Sequence, residues 1–249
     1  MSLDNINILL EDDSEILGNG QGHVMYRQYL PIVKYVKILK RYNYKSTFYF
    51  DIAHLLFLKS NNHLKDNKLQ AIILEKTILF LLKNNMEVQL HIHSQWLNAK
   101  YKDSFVQVTD KWNIGQLSTN NQKKIFHDCL DCIKSIINNS NNTNLINSFK
   151  AGSWGLRPFN ALYDEFKKEG IKVVLGPIKG LVISSLELDY SSMESDTFPY
   201  YCSENDINKI GNKSDIVVIP MTPTYLNLID LFRYFLHKKI KNIIKKYDL

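Results

Sequence analysis

Residues 87–96 read Glu87-Val88-Gln89-Leu90-His91-Ile92-His93-Ser94-Gln95-Trp96. Polar and apolar side chains alternate there, after a long helical pattern, which predicts a strand over Met86–His93. In a strand, residues i and i+2 face the same way, so His91 and His93 project together. They are two of only seven histidines in 249 residues. Two imidazoles side by side at a strand end form half of a metal site; the bland alternative is two polar residues on a wet sheet face. The metal reading needs a carboxylate from elsewhere in the chain.

Upstream, Lys68–Lys83 is an amphipathic helix pattern, Ser46–Ile52 is rich in strand formers, Tyr26–Tyr42 has helical spacing, and Ile6–Leu10 is a short apolar strand. Downstream, Trp96–Ile114 lacks periodicity and reads as a loop, Asn120–Asn138 as a helix and Leu145–Ala151 as a strand. Arg157–Glu169 reads as a helix, with Pro158 tolerated in its first turn and Gly170 closing it. Ile171–Leu175, Leu181–Leu188 and Asp215–Pro220 read as strands, Ser195–Asn208 as a loop and Tyr225–Tyr247 as a long helix. Strands alternating with helices predict an α/β protein with a parallel sheet of about seven strands, near a β/α barrel in size. Residues 1–249 then form a single domain.

Functional side chains in such folds gather at the C-terminal ends of strands. The first predicted strand runs into Glu11-Asp12-Asp13-Ser14-Glu15, four acids in five residues. These are either an exposed acidic turn or a metal ligand with a general base. The acids and the histidines fall at the same kind of strand end, which points to one shared site. Gly18, Gly20 and Gly22 mark a loop with no helix of the kind a nucleotide fingerprint requires, and His23 at its end reads as a surface histidine.

The net charge of +6 is concentrated in Lys238, Lys239, Lys241, Lys245 and Lys246, a solvated helix face near the C-terminus. No nucleic-acid-binding motif accompanies it, so no nucleic-acid partner is expected. No apolar run is long enough for a transmembrane segment, and no secretion signal opens the chain, so the expected location is cytoplasmic. Cys129 and Cys132 fall one helical turn apart, and with Cys202 they outline no disulfide framework. The 45% hydrophobic and 12% aromatic content is ample for a sizeable core. The oligomeric state is left open.

With these elements in place, the sequence resembles the polysaccharide deacetylase family of metal-dependent carbohydrate esterases, in its divergent branch from glycan-biosynthesis settings. The family's T-F-D-D-G motif, a base followed by a metal ligand, is similar to Leu10-Glu11-Asp12-Asp13-Ser14. The D-T-E of the divergent branch is similar to Asp13-Ser14-Glu15. In the first register Asp12 is the base and Asp13 the ligand; in the second Asp13 is the base and Glu15 the ligand. Thr47-Phe48-Tyr49-Phe50 resembles the family's Thr-Phe-Phe strand, and Glu87–His91 the approach to its first metal histidine. The second histidine, four residues on, falls on Gln95, so His93 takes its place, as in H-x-H-x-x-W runs of the branch. Lys150-Ala151-Gly152-Ser153-Trp154-Gly155 resembles Arg-x-Pro-x-Gly, with Lys150 replacing the arginine that orients the catalytic Asp. Lysine keeps the charge but loses the bidentate fork. Asp189-Tyr190 and Pro199-Tyr200-Tyr201 resemble the region that shapes the substrate cleft. The last motif, whose histidine is the general acid, has no match; His237 lies deep in the final helix pattern.

The resemblance implies a deformed (β/α) barrel that performs metal-assisted amide hydrolysis. A divalent cation, Zn²⁺ by preference, would be held by Asp13, His91 and His93, with Glu15 in the shifted register. Asp12 or Asp13 would be the base, and Lys150 would position it or stabilise negative charge. Trp96, Trp154, Asp189, Tyr200 and Tyr201 would meet the substrate. That substrate would be a carbohydrate or N-acetylated small molecule encountered during surface-polysaccharide synthesis. Two alternatives stand beside it: a non-catalytic relative that binds a glycan or a partner, and another metal hydrolase on the same barrel.

Overall fold

The structure, a computed structural model, describes residues 9–16, 22–102, 105–140, 142–195, 198–213 and 216–221. The expectations for residues 6–8, Gly18, Gly20, the Tyr225–Tyr247 helix with its lysines, and His237 lie outside them. In chain order the strands are β1 (Glu11–Ser14), β2 (Thr47–Asp51), β3 (Glu87–Ile92), a hairpin of β4 (Lys100–Lys102) and β5 (Phe105–Gln107), and β6 (Ser148–Ala151). Then come β7 (Val173–Leu175), a hairpin of β8 (Val182–Ile183) and β9 (Leu188–Asp189), β10 (Tyr200–Tyr201) and β11 (Val217–Ile219). The helices are α1 (Leu30–Arg41), entered through a π-helical turn at Met25–Tyr29, α2 (Ile52–Ser60), α3 (Lys65–Lys83), α4 (Thr119–Asn138) and α5 (Asn160–Glu169).

Seven strands share one sheet in the order β1-β2-β3-β6-β7-β11-β10, and every pair is parallel except β10 with β11. The protein is therefore α/β with a mostly parallel central sheet. Among the described residues the two outer strands do not pair, so the sheet is not closed. From β1 to β11 the spatial order follows chain order without reversal. Right-handed crossovers then lay successive helices on one face. That face is apolar. Phe48 meets Tyr35 of α1, and Phe149 meets Phe126 of α4 and Phe166 of α5.

The other face is polar, because strand alternation places the intervening residues there. Asp13, Tyr49 and Gln89 lie abreast across β1, β2 and β3, and Asp51, His91 and Lys150 across β2, β3 and β6. On a flat sheet β1 and β6 would stand roughly 14 Å apart, three strand spacings. Yet Lys150 Nζ lies 2.8 Å from Glu11 Oε1 and 2.8 Å from Asp13 Oδ1. Side chains close that gap only on a concave surface, so the sheet curls around its polar residues.

Several boundaries differ from those read in the sequence. The first strand comprises the acids themselves, Glu11–Ser14, and not the apolar run before them. Buried Lys150 is what lets charged residues join the sheet. Leu181–Leu188 is not a strand of the central sheet: Glu187 takes a left-handed conformation (φ 51°) and the stretch folds into the β8–β9 hairpin. Tyr200–Tyr201, expected in a loop, instead borders β11. Helix α5 starts at Asn160, and the Arg157 carbonyl ahead of it accepts from Asn113 Nδ2 at 2.8 Å. The loop after Trp96 contains the β4–β5 hairpin, and α2 had no counterpart in the sequence reading. Cys129 and Cys132 sit one turn apart on α4, both as free thiols. Among the described residues no helix is long and apolar enough to cross a membrane.

Candidate metal centre

Alternation at the end of β3 puts His91 and His93 on the concave face, with ring centroids 4.8 Å apart and planes at 81°. Glu15 continues the series Glu11, Asp13 just beyond β1 and reaches the same place. Its Oε2 lies 3.4 Å from His91 Nε2 and is bonded to His93 Nε2. The ligand atoms of Glu15, His91 and His93 all lie within 4.8 Å of one another.

The imidazoles are held from behind. His91 Nδ1 is 2.8 Å from the Lys150 carbonyl oxygen, to which it donates, and this turns Nε2 toward Glu15. His93 Nδ1 meets the Gln95 amide, with Oε1 at 3.2 Å and Nε2 at 2.8 Å. Half a turn of that amide exchanges donor and acceptor, so Gln95 serves either tautomer of the ring. Gly152 lies flat against His93: a Cβ there would stand 2.6 Å from His93 Cγ. Burial alone would push the His93 imidazole down. The Glu15 hydrogen bond, with the charges of Asp51 and Glu15, outweighs it and holds the group up, at about 9. Burial would likewise raise Glu15, but hydrogen bonds from His91 and His93 hold its carboxyl well below the usual range. Two imidazole nitrogens and one carboxylate, converging and supported from behind, fit a divalent cation with an open position for water. That group can hold a metal ion.

Asp13 stands beside these ligands rather than among them. Its carboxylate is bound by Lys150, which also binds Glu11 and lies 5.9 Å above the Tyr49 ring. Asp12 points to the opposite face of β1 and accepts the Ser14 hydroxyl at 2.7 Å. Above Asp13, Glu15 and the two histidines is a cavity of about 200 Å³, walled by Trp112, Ser153 and Trp154. Ser153 (φ 52°) and Trp154 (φ 56°) are consecutive left-handed residues without being glycine, a costly arrangement that needs external support. The fully buried Tyr190 supplies it, donating its hydroxyl to the Trp154 carbonyl at 2.6 Å. A larger hollow of about 510 Å³ lies at the opposite strand ends, near Ser46, Thr47 and Glu87, away from the histidines.

No family model matches the chain, and no curated protein matches it.

Of the residues expected at a substrate, only Trp154 lines the cavity over the histidines. Trp96 is buried, stacked on His54 at 4.4 Å and flanked by Phe57, so its faces are occupied. Asp189 sits on the exposed hairpin, where it caps the Ser191 N–H at 2.8 Å. Tyr200 is buried with its hydroxyl on the Ile207 carbonyl at 2.6 Å, and Tyr201 lies on the border strand; neither faces the cavity. The sequence reading missed Trp112, Ser153 and Asp51. Trp112 stood in an aperiodic loop. Asp51 looked like the polar end of a strand, although an Asp ahead of Ile-Ala-His-Leu-Leu is also a helix N-cap pattern.

Proposed function

We propose that the chain is a metal-dependent amide hydrolase of the polysaccharide deacetylase type, acting on an N-acetylated sugar or glycan precursor. The observation that carries this reading is the convergence of Glu15, His91 and His93 beside a carboxylate, Asp13, that a buried lysine holds in place. The geometry favours the Asp13-Ser14-Glu15 register, with Glu15 as ligand and Asp13 as base. Strand order without reversal, helices on one face and the concave polar surface support a deformed barrel. The pairing of acids at the end of the first strand with histidines at the end of the third supports the family.

A divalent cation held by these three residues, zinc by preference, would supply an acidified water and polarise the acetyl carbonyl. Asp13 would take the proton from that water. Lys150 fixes the Asp13 carboxylate in place. Trp112 and Trp154 would cover the reacting group and exclude bulk water. A cavity of about 200 Å³ is smaller than the sites that enclose whole ligands, so only the acetamido end of a substrate would enter.

The test is acetate release from N-acetylglucosamine and its oligomers by the zinc-loaded protein. Asp13→Asn is expected to keep zinc and lower turnover at least ~100-fold, in the range of general-base losses. Turnover unchanged in that variant would sink the assignment of the base. A second reading, a barrel that binds a glycan without cleaving it, is favoured by one observation. Among the described residues the cavity offers no further titratable group to protonate the leaving amine. Glycan binding with no acetate released from any N-acetyl sugar would select it.

A further inference from the structure

Asp51 ends β2 and is paired with His91 across the β2–β3 ladder. Its carboxylate is buried, with the residue 3% exposed. Oδ1 accepts the backbone N–H of His93 at 3.3 Å and that of His54 at 3.4 Å, the latter as the N-cap of α2. Oδ2 accepts the indole N–H of Trp96 at 3.0 Å. The indole is fixed in turn by its stack on His54 and by the 3₁₀ turn Ser94–Trp96, whose Trp96 N–H returns to the His93 carbonyl at 3.2 Å. One carboxylate thus pins the segment 93–96 to the end of β2.

All three donors are neutral, and Asp51 forms no ion pair among the described residues. A buried carboxylate without a cation is costly. Asp13 and Glu11 have Lys150 for this purpose. Asp51 has only the neighbouring imidazoles, and burial raises its carboxyl above the usual range against their pull.

We infer that Asp51, oriented by the Trp96 indole, is a positioning residue that fixes the His93 backbone, and with it the imidazole, for a divalent cation at Glu15, His91 and His93. The inference rests on the metal reading of that site. It also gives Trp96 a role other than sugar stacking.

The experiment measures zinc affinity by competition with a chromophoric chelator, and the visible absorption of the Co²⁺-loaded protein, in wild type, Asp51→Asn and Trp96→Phe. Asp51→Asn keeps the volume and puts an amide NH2 where one of the two acceptor oxygens stands; it is expected to weaken zinc binding roughly 10–100-fold and to shift the cobalt spectrum. Trp96→Phe keeps a ring and removes the N–H; a smaller loss in the same direction is expected. Should Asp51→Asn fail to fold, Trp96→Phe decides alone. Folded variants with wild-type affinity and an unchanged cobalt spectrum, differing only in melting temperature, would make Asp51 a helix cap and nothing more. A wild type that takes up neither zinc nor cobalt overturns the metal reading itself, and the inference with it.

Discussion

A proton and a metal ion compete for Nε2 of His93. Without metal, the hydrogen bond to Glu15 and the nearby carboxylate charges overcome burial and hold that imidazole protonated up to about pH 9. Metal requires the neutral ring. Zinc uptake at pH 7 is therefore expected to release about one proton from this residue, and apparent affinity should fall about tenfold per pH unit below 9. Calorimetry in buffers of different ionisation enthalpy measures the release; no proton release at pH 7 would place the metal elsewhere. The two histidines were legible in the sequence because strand alternation alone puts i and i+2 on one face. Glu15 was legible only as one of two registers, since an acidic cluster does not say which carboxylate turns inward. Trp96 was misread: nothing in a local pattern tells whether an indole after a strand faces a cavity or donates to a carboxylate 45 residues away.

At the scale of elements, α1, α3, α4 and the parallel strands other than β1 were legible because each shows one apolar stripe or one apolar face. Helix α2 was not. Its Ile52, Ala53, Leu55, Phe57 and Leu58 are all buried, so it lies in the core with no polar face to mark a helical period. β1 failed for the opposite reason, being a strand of acids whose partner is a lysine on another strand. The helix-bearing side of the sheet is where stability concentrates. Phe149, fully buried between Phe126 and Phe166, is expected to cost about 3–5 kcal/mol when changed to Ala. Urea denaturation measures this, and a loss below 1 kcal/mol would mean that α4 and α5 do not pack as described.

For the molecule as a whole, the alternation of strand and helix was legible, as was a mostly parallel α/β sheet. The curl was legible only as what the family resemblance implied, because it is recorded in contacts between strands that are not neighbours. Lys150 makes the clearest of these, bridging β6 to two carboxylates of β1. Lys150→Met would leave Glu11 and Asp13 facing each other without a cation. It is expected to destabilise the protein by about 3 kcal/mol, the low end for a broken buried pair because both acids are partly exposed. A chemical melt within 0.5 kcal/mol of wild type would mean that the bridge does not hold the curl. Lys150 also lies 139 residues after Glu11. During synthesis, at roughly 5–20 residues per second, the acids therefore wait on the order of ten seconds for the lysine that neutralises them. Until then both carboxylates have every reason to stay in water. β1 thus waits for β6 before it settles on the sheet, and the metal site, which needs Glu15 from its end, is completed no earlier.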